Sequence, residues 1–76
     1  MKITIETYRK FLNDTFLKLG YERVGYYTLT NEIMRTFGSD RRTIKKHLKN
    51  MIILGLLREE GAGSYRIVKE LVRVEA

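Results

Sequence analysis

Apolar residues recur along this chain at two different spacings, and the change from one to the other divides it. Ile5, Tyr8, Leu12, Phe16 and Leu19 are separated by three or four positions, which predicts a first helix over residues 4–19. Thr4 stands where an N-cap is expected. Thr7 rather than Glu follows it at the third helical position, so the capping box is incomplete. Gly20 is a natural stop. Phe11 and Leu17 fall off the main stripe. They read either as ordinary, partly exposed apolar residues or as a widening of the stripe toward a second subunit. Residues 20–29, GYERVGYYTL, read as a loop leading into a short extended segment near Tyr26–Leu29. Residues 30–37 read as a short second helix capped by Thr30, with Ile33 and Phe37 toward the core and Met34 half-buried. Gly38 then permits a turn with positive φ.

The next stretch has the clearest pattern. Asp40 is placed to cap a helix over residues 40–54, because its carboxylate can accept from free backbone N–H groups two and three residues on. Ile44, Leu48 and Met51 share one face of that helix. Arg42, Lys45, Lys46 and Lys49 occupy the other side, with Arg41 at the start. No acidic residue lies between Arg41 and Arg58. His47 borders the apolar face and is expected to be a half-buried structural residue. Ile53 falls on the cationic side of the wheel. Either the helix ends early and Ile53 turns inward, or it is an exposed contact. Gly55 ends the helix.

Leu56–Glu60 and Ser64–Val68 then flank Gly61-Ala62-Gly63, which is hairpin spacing. Two strands alone are marginal. They need helices beneath them, and the Tyr26–Leu29 segment could supply a third strand. In the tail, Leu71, Val72 and Val74 fit neither period. It reads as a strand extension or a short helix, packed on the first helix or serving a dimer contact.

Seventy-six residues make one domain, 1–76. A domain of this size buries only ~60% of its unfolded surface, so a dimer is reasonable on stability grounds. The absence of Cys removes disulfides and thiolate metal sites; it agrees with a reducing cytoplasm and equally with a heat-stable or extracellular protein. No apolar run approaches transmembrane length. The opening Met1-Lys2-Ile3-Thr4-Ile5-Glu6 is charged and lacks a signal-peptide layout. Formal net charge is +6. Residues 38–58 hold six cations and one anion, +5 of that total, and such clustering points to an anionic partner.

The inventory for catalysis is thin. One His and no Cys exclude a Cys/His pair, and no further ligand lies at useful spacing from His47 for a metal. Glu59-Glu60 and Glu70/Glu75 read as solvated surface. Gly61-Ala62-Gly63 lacks phosphate-loop spacing. The expectation is a protein that is not an enzyme and takes no cofactor, metal or small-molecule ligand.

Nucleic-acid binding suits the pattern better. An α-helix fits the major groove of B-DNA, and side chains near its N-terminus reach base edges. Arg41 and Arg42 are placed for guanine edges. Lys45, Lys46 and Lys49 are placed for phosphates, and Thr43 for a phosphate or a local cap. Arg42/Lys46 and Lys45/Lys49 are like-charged i,i+4 pairs, each costing a few tenths of a kcal/mol in an isolated helix. Bound phosphates would relieve that repulsion. Ser64, Arg66 and the Gly61–Gly63 backbone could also reach phosphates, whereas Glu59 and Glu60 would be repelled. Arg58 and Arg66 are expected to face each other across the hairpin or to pair with those acids. The three tyrosines at positions 21, 26 and 27 read either as a cover for the core edge or as a stacking platform for single strands.

The run TNEIMRTFGSDRRTIKKHL, with Glu32-Ile33, Gly38, Asp40, Thr43 and Ile44 in place, resembles a helix-turn-helix. Ser39 departs from the pattern, where an aliphatic residue is usual. Leu54-Gly55-Leu56-Leu57-Arg58 and Gly61-Ala62-Gly63-Ser64-Tyr65-Arg66-Ile67 extend the likeness to the winged-helix variant, over about Thr28 to Val68. The resemblance implies a small α+β winged helix-turn-helix of three helices plus a β-hairpin wing. Residues 40–54 would be the recognition helix and 56–68 the wing. It further implies sequence-specific binding of double-stranded DNA by a homodimeric transcription regulator, similar to stand-alone regulators of archaea and their viruses or plasmids. Winged helices also serve as protein-docking modules, and there the basic face would meet an acidic partner. Structured or single-stranded RNA is a third option, favoured if the tyrosines are exposed.

Overall fold

Tyr8, Phe11 and Leu12 are all buried on one helix, and the rest of the chain is laid around them. The structure, a computed structural model, describes residues 4–73. Residues 1–3 and 74–76, with the start of the charged opening, Val74 and Glu75, lie outside the described residues. The described elements are α1 (Ile5–Thr15), a 3-10 turn (Leu17–Leu19), β1 (Arg23–Gly25), α2 (Tyr26–Phe37), α3 (Arg41–Ile53), β2 (Leu57–Glu59), β3 (Ser64–Ile67) and α4 (Lys69–Val72). The three strands form one antiparallel sheet in the order β1-β3-β2. The protein is thus a small α+β fold.

The first helix differs from its expected span. α1 stops at Thr15, and Leu17–Leu19 continues as a tighter 3-10 turn. The break turns both Phe16 and Leu17 inward, at 3% exposure each. Phe11 is also buried, with its ring 5.3 Å from that of Phe37 and 6.1 Å from that of Phe16. The expectation that Phe11 and Leu17 are partly exposed is therefore corrected. α1 is covered by α4 as well as by the α2–α3 side, so its buried arc is wider than one stripe. Leu19, placed on the stripe, is instead exposed.

The segment Tyr26–Leu29 is not a strand. It is the first turn of α2, and Thr30 lies inside that helix, where its hydroxyl donates to the Tyr27 carbonyl at 3.2 Å. The third strand is Arg23–Gly25 instead, paired with β3 through Arg23–Arg66, Val24–Tyr65 and Gly25–Ser64. The Tyr26 N–H, first in its helix and so without an intrahelical acceptor, donates to the Gly63 carbonyl at 2.8 Å. That bond ties the start of α2 to the hairpin tip.

Gly38 has φ +133°, the turn conformation expected of it. Asp40 caps α3 by accepting from the Arg42 N–H at 3.1 Å. The helix ends in a Schellman motif: the Leu56 N–H reaches the Met51 carbonyl and the Gly55 N–H the Ile52 carbonyl, both at 3.0 Å, with Gly55 at φ +80°. Leu56 and Met51, the pair that such a motif brings together, are both fully buried. Ile53 stays exposed, so the question of an early helix end resolves to an outward side chain.

In the hairpin, Leu57 pairs with Ile67, Arg58 with Arg66 and Glu59 with Tyr65. The Glu60 N–H donates to the Ser64 carbonyl at 2.9 Å, which leaves a three-residue tip. The tail forms a short helix on α1. The Arg9 side chain donates to the Leu71 carbonyl at 3.0 Å, and Arg73 to the Leu17 carbonyl at 2.7 Å.

Candidate nucleic-acid interface

α3 splits its residues between core and solvent as its spacing requires. Leu48 and Met51 are buried and Ile44 packs against the same cluster. Arg41, Arg42, Lys45, Lys46 and Lys49 are all exposed. Thr43 is half-buried beside the Gly38 turn rather than fully presented, since a side chain at position 38 would meet its methyl group at 4.0 Å.

Under this face lies a polar contact that fixes the helix to α1. The Asn50 amide donates to the Tyr8 hydroxyl at 3.1 Å, and that hydroxyl lies 2.7 Å from His47 Nδ1. Tyr8 and the imidazole share one hydrogen bond, whose direction follows the ring tautomer. Phe37 stacks on the other side of the ring, at 4.5 Å between centroids. His47 is more deeply buried than half, at 5% exposure. Burial, and secondarily the Lys46 ammonium, push its pKa below the usual imidazole value.

The ion pairs among the described residues all lie outside α3. Arg9 pairs with Glu6, Arg23 with Glu60, Arg35 with Glu32 and Lys69 with Glu22. The Lys69 contact holds the Glu22 carboxyl below its ordinary range. Among the described residues, none of the five α3 cations stands in an ion pair. Asp40, the nearest acid in sequence, is occupied with its own helix start.

The hairpin carries the other candidate residues. Arg66 is exposed on β3 and Ser64 half-buried at its start. Arg58 and Arg66 do face each other, and neither takes the hairpin acids. Glu60 goes instead to Arg23 on β1, at 3.3 Å. Glu59 accepts from the Tyr65 hydroxyl at 3.4 Å, and burial together with that carboxylate raises the Tyr65 pKa above the ordinary phenol value. Arg23 is a residue that sequence reasoning missed. The register sets it beside Arg66, while its own strand, three residues long, shows a single polar–apolar–polar alternation as its only signal.

The tyrosines divide. Tyr27 is 81% and Tyr21 58% exposed, while Tyr26 is half-buried next to Tyr27 and Tyr65. Among the described residues no three His, Cys, Asp or Glu side chains are grouped to hold a metal, and no helix is long and apolar enough to cross a membrane. Neither a scan against protein-family models nor searches of curated proteins and of solved structures finds a match.

Proposed function

We propose that this protein is a winged-helix DNA-binding protein that recognises specific duplex sequences as a symmetric dimer and regulates transcription in the cytoplasm. The observation that carries the reading is the set of five exposed cations on α3, none of which, among the described residues, stands in an ion pair, whereas Arg9, Arg23, Arg35 and Lys69 elsewhere each find an acid. Supporting it are the order α1-β1-α2-α3-β2-β3, the sheet order β1-β3-β2, and the capped turn between α2 and α3. This is the arrangement in which a winged helix offers its third helix to the major groove and its hairpin to the flanking backbone. Arg41 and Arg42, in the first turn of α3, would meet base edges. Lys45, Lys46 and Lys49 would meet phosphates, with Arg66 and Ser64 assisting from the wing.

Duplex binding measured at several salt concentrations tests this. A log–log slope of roughly −4 or steeper corresponds to several phosphates neutralised. Enrichment of a short inverted repeat from a random pool would fit a dimer whose helices lie about one DNA turn apart. No duplex binding at low salt would sink the reading and direct attention to an acidic protein partner. One observation favours a second reading: exposed Tyr27 and Tyr21 offer rings on which unpaired bases could stack. A preference for the single strand over the duplex of the same sequence would select it.

A further inference from the structure

The end of α1 leaves outward two side chains that a longer helix would have paired. Asp14 and Lys18 are four residues apart, the spacing at which an acid and a base on one helix meet. α1 stops at Thr15, however, and Lys18 falls in the 3-10 turn. Both side chains are exposed, and among the described residues neither stands in an ion pair. Asp14 accepts a long bond from the neighbouring Asn13 amide, at 3.4 Å. The same turn leaves Leu19 outward, at 69% exposure, and the exposed Tyr21 follows beyond Gly20. Asp14, Leu19, Tyr21, Thr28 and Glu32 line one open groove of about 630 Å³ between the end of α1, β1 and α2. No residue of α3 lines it.

We propose that this groove is where a second copy of the chain docks. About a two-fold axis, Leu19 and Tyr21 of each copy seat in the groove of the other, and Lys18 of each meets the partner's Asp14. A two-fold contact needs a patch complementary to itself, so that residue i on one copy meets j on the other and the reverse. The stretch Asp14–Tyr21 meets that need, with an acid, a base and two exposed apolar side chains within eight residues. The chain exposes other apolar residues, Ile53 and Leu54, at the end of α3. They lie about one turn beyond Lys49 on a helix without acids, so two copies meeting there would set cation against cation. The groove surface is small beside a standard interface, and the free dimer is accordingly weak. The proposal gives a surface to the symmetric dimer of the duplex-binding reading, and rests on that reading for the use of the dimer on DNA. It covers the Tyr21 ring, which the single-strand reading leaves open.

Sedimentation equilibrium of the full chain without DNA tests this, at concentrations from about 1 μM to about 1 mM, the range of weak association. The wild type should pass from monomer to dimer. Leu19→Ser/Tyr21→Ser should raise the dissociation constant roughly tenfold or more. Lys18→Glu and Asp14→Lys should each weaken self-association by a similar factor, because each sets like charges together twice across the axis. An equimolar mixture of these two variants should associate as the wild type does, since both pairs across the axis are then opposite in sign. Neither misfolding nor a contact within one chain can mimic that recovery. A wild type that stays monomeric throughout, or a mixture that recovers nothing, overturns the proposal. Loss of the dimer in Ile53→Ser/Leu54→Ser, with Leu19→Ser/Tyr21→Ser unaffected, would move the interface to α3 and overturn it as well. Anisotropy on a labelled duplex, with the same samples, separates the two readings. A dimer that binds no duplex leaves the surface standing and sinks the DNA reading, and a monomer that binds duplex does the reverse.

Discussion

The Tyr8 hydroxyl accepts from Asn50 and shares a hydrogen bond with His47, and this small network makes α3 sensitive to pH. Protonated His47 would bring a second donor to an oxygen already bonded to Asn50. Its pKa is lowered in the folded protein, chiefly by burial, so the unfolded chain takes up a proton at higher pH than the folded one. The stability it contributes is complete above about pH 6.5, the unfolded value, and is lost as pH falls below it. Thermal melts between about pH 7.5 and 5.5 should show a falling midpoint, and His47→Gln should flatten the curve over that window. Tyr8→Phe strands buried His47 and half-buried Asn50 and should cost ~1–3 kcal/mol in a denaturant titration. On the outer face of α3 the residues should separate by role. Arg42→Ala should relax base preference, whereas Lys49→Ala should weaken all duplexes alike and lower the salt slope by about one unit. Equal effects of both on every sequence would remove the base contact. The apolar residues Phe11 and Leu17 show a limit of reading one residue at a time. Each lies off its helix stripe, and each is buried because neighbours cover α1 from more than one direction.

Among the elements, α3 and the hairpin were the most legible, because their signals are local. Asp40, the 3.6-residue pattern, Gly55 and the Gly61–Gly63 tip each act within a few residues, and the helix and strand ends fall within one residue of the expected spans. Asp40→Ala should destabilise by about 1 kcal/mol through loss of the cap. Circular dichroism melts would check this, and an unchanged midpoint would remove the side chain from the capping role. Gly55→Ala should be costlier than an ordinary surface substitution. Its φ is +80°, and the added carbon would sit 3.5 Å from the Leu71 side chain. The start of α2 was not legible. Tyr26-Tyr27-Thr28 carries residue types favoured in strands, yet the strand ends at Gly25 and the helix begins at once. What decides the matter is pairing with β3, about forty positions away in sequence, which no local pattern reports. Arg23 was missed for the same reason, so part of the cationic surface became visible only through the register.

At the scale of the whole molecule the charge is lopsided, and the two ends of the described chain are stitched together. The Arg73 guanidinium reaches the Leu17 carbonyl and the Asn13 side chain, and Arg9 reaches the Leu71 carbonyl, so α4 closes over α1. Removing α4 by truncation after Ile67 should uncover α1 and lower the melting temperature by several degrees, as expected when ~1–2 kcal/mol is lost from a domain of this size. An unchanged melting temperature would show that α4 contributes nothing to the core. The bond from the Tyr26 N–H to the Gly63 carbonyl has a consequence at this scale as well. A wing anchored at its tip has little freedom left to lose when a ligand arrives. Encounter and docking should then merge into one kinetic phase whose observed rate climbs linearly with DNA concentration. The heat-capacity change measured by calorimetry should reflect buried surface alone, without the added increment of a segment that folds as it binds.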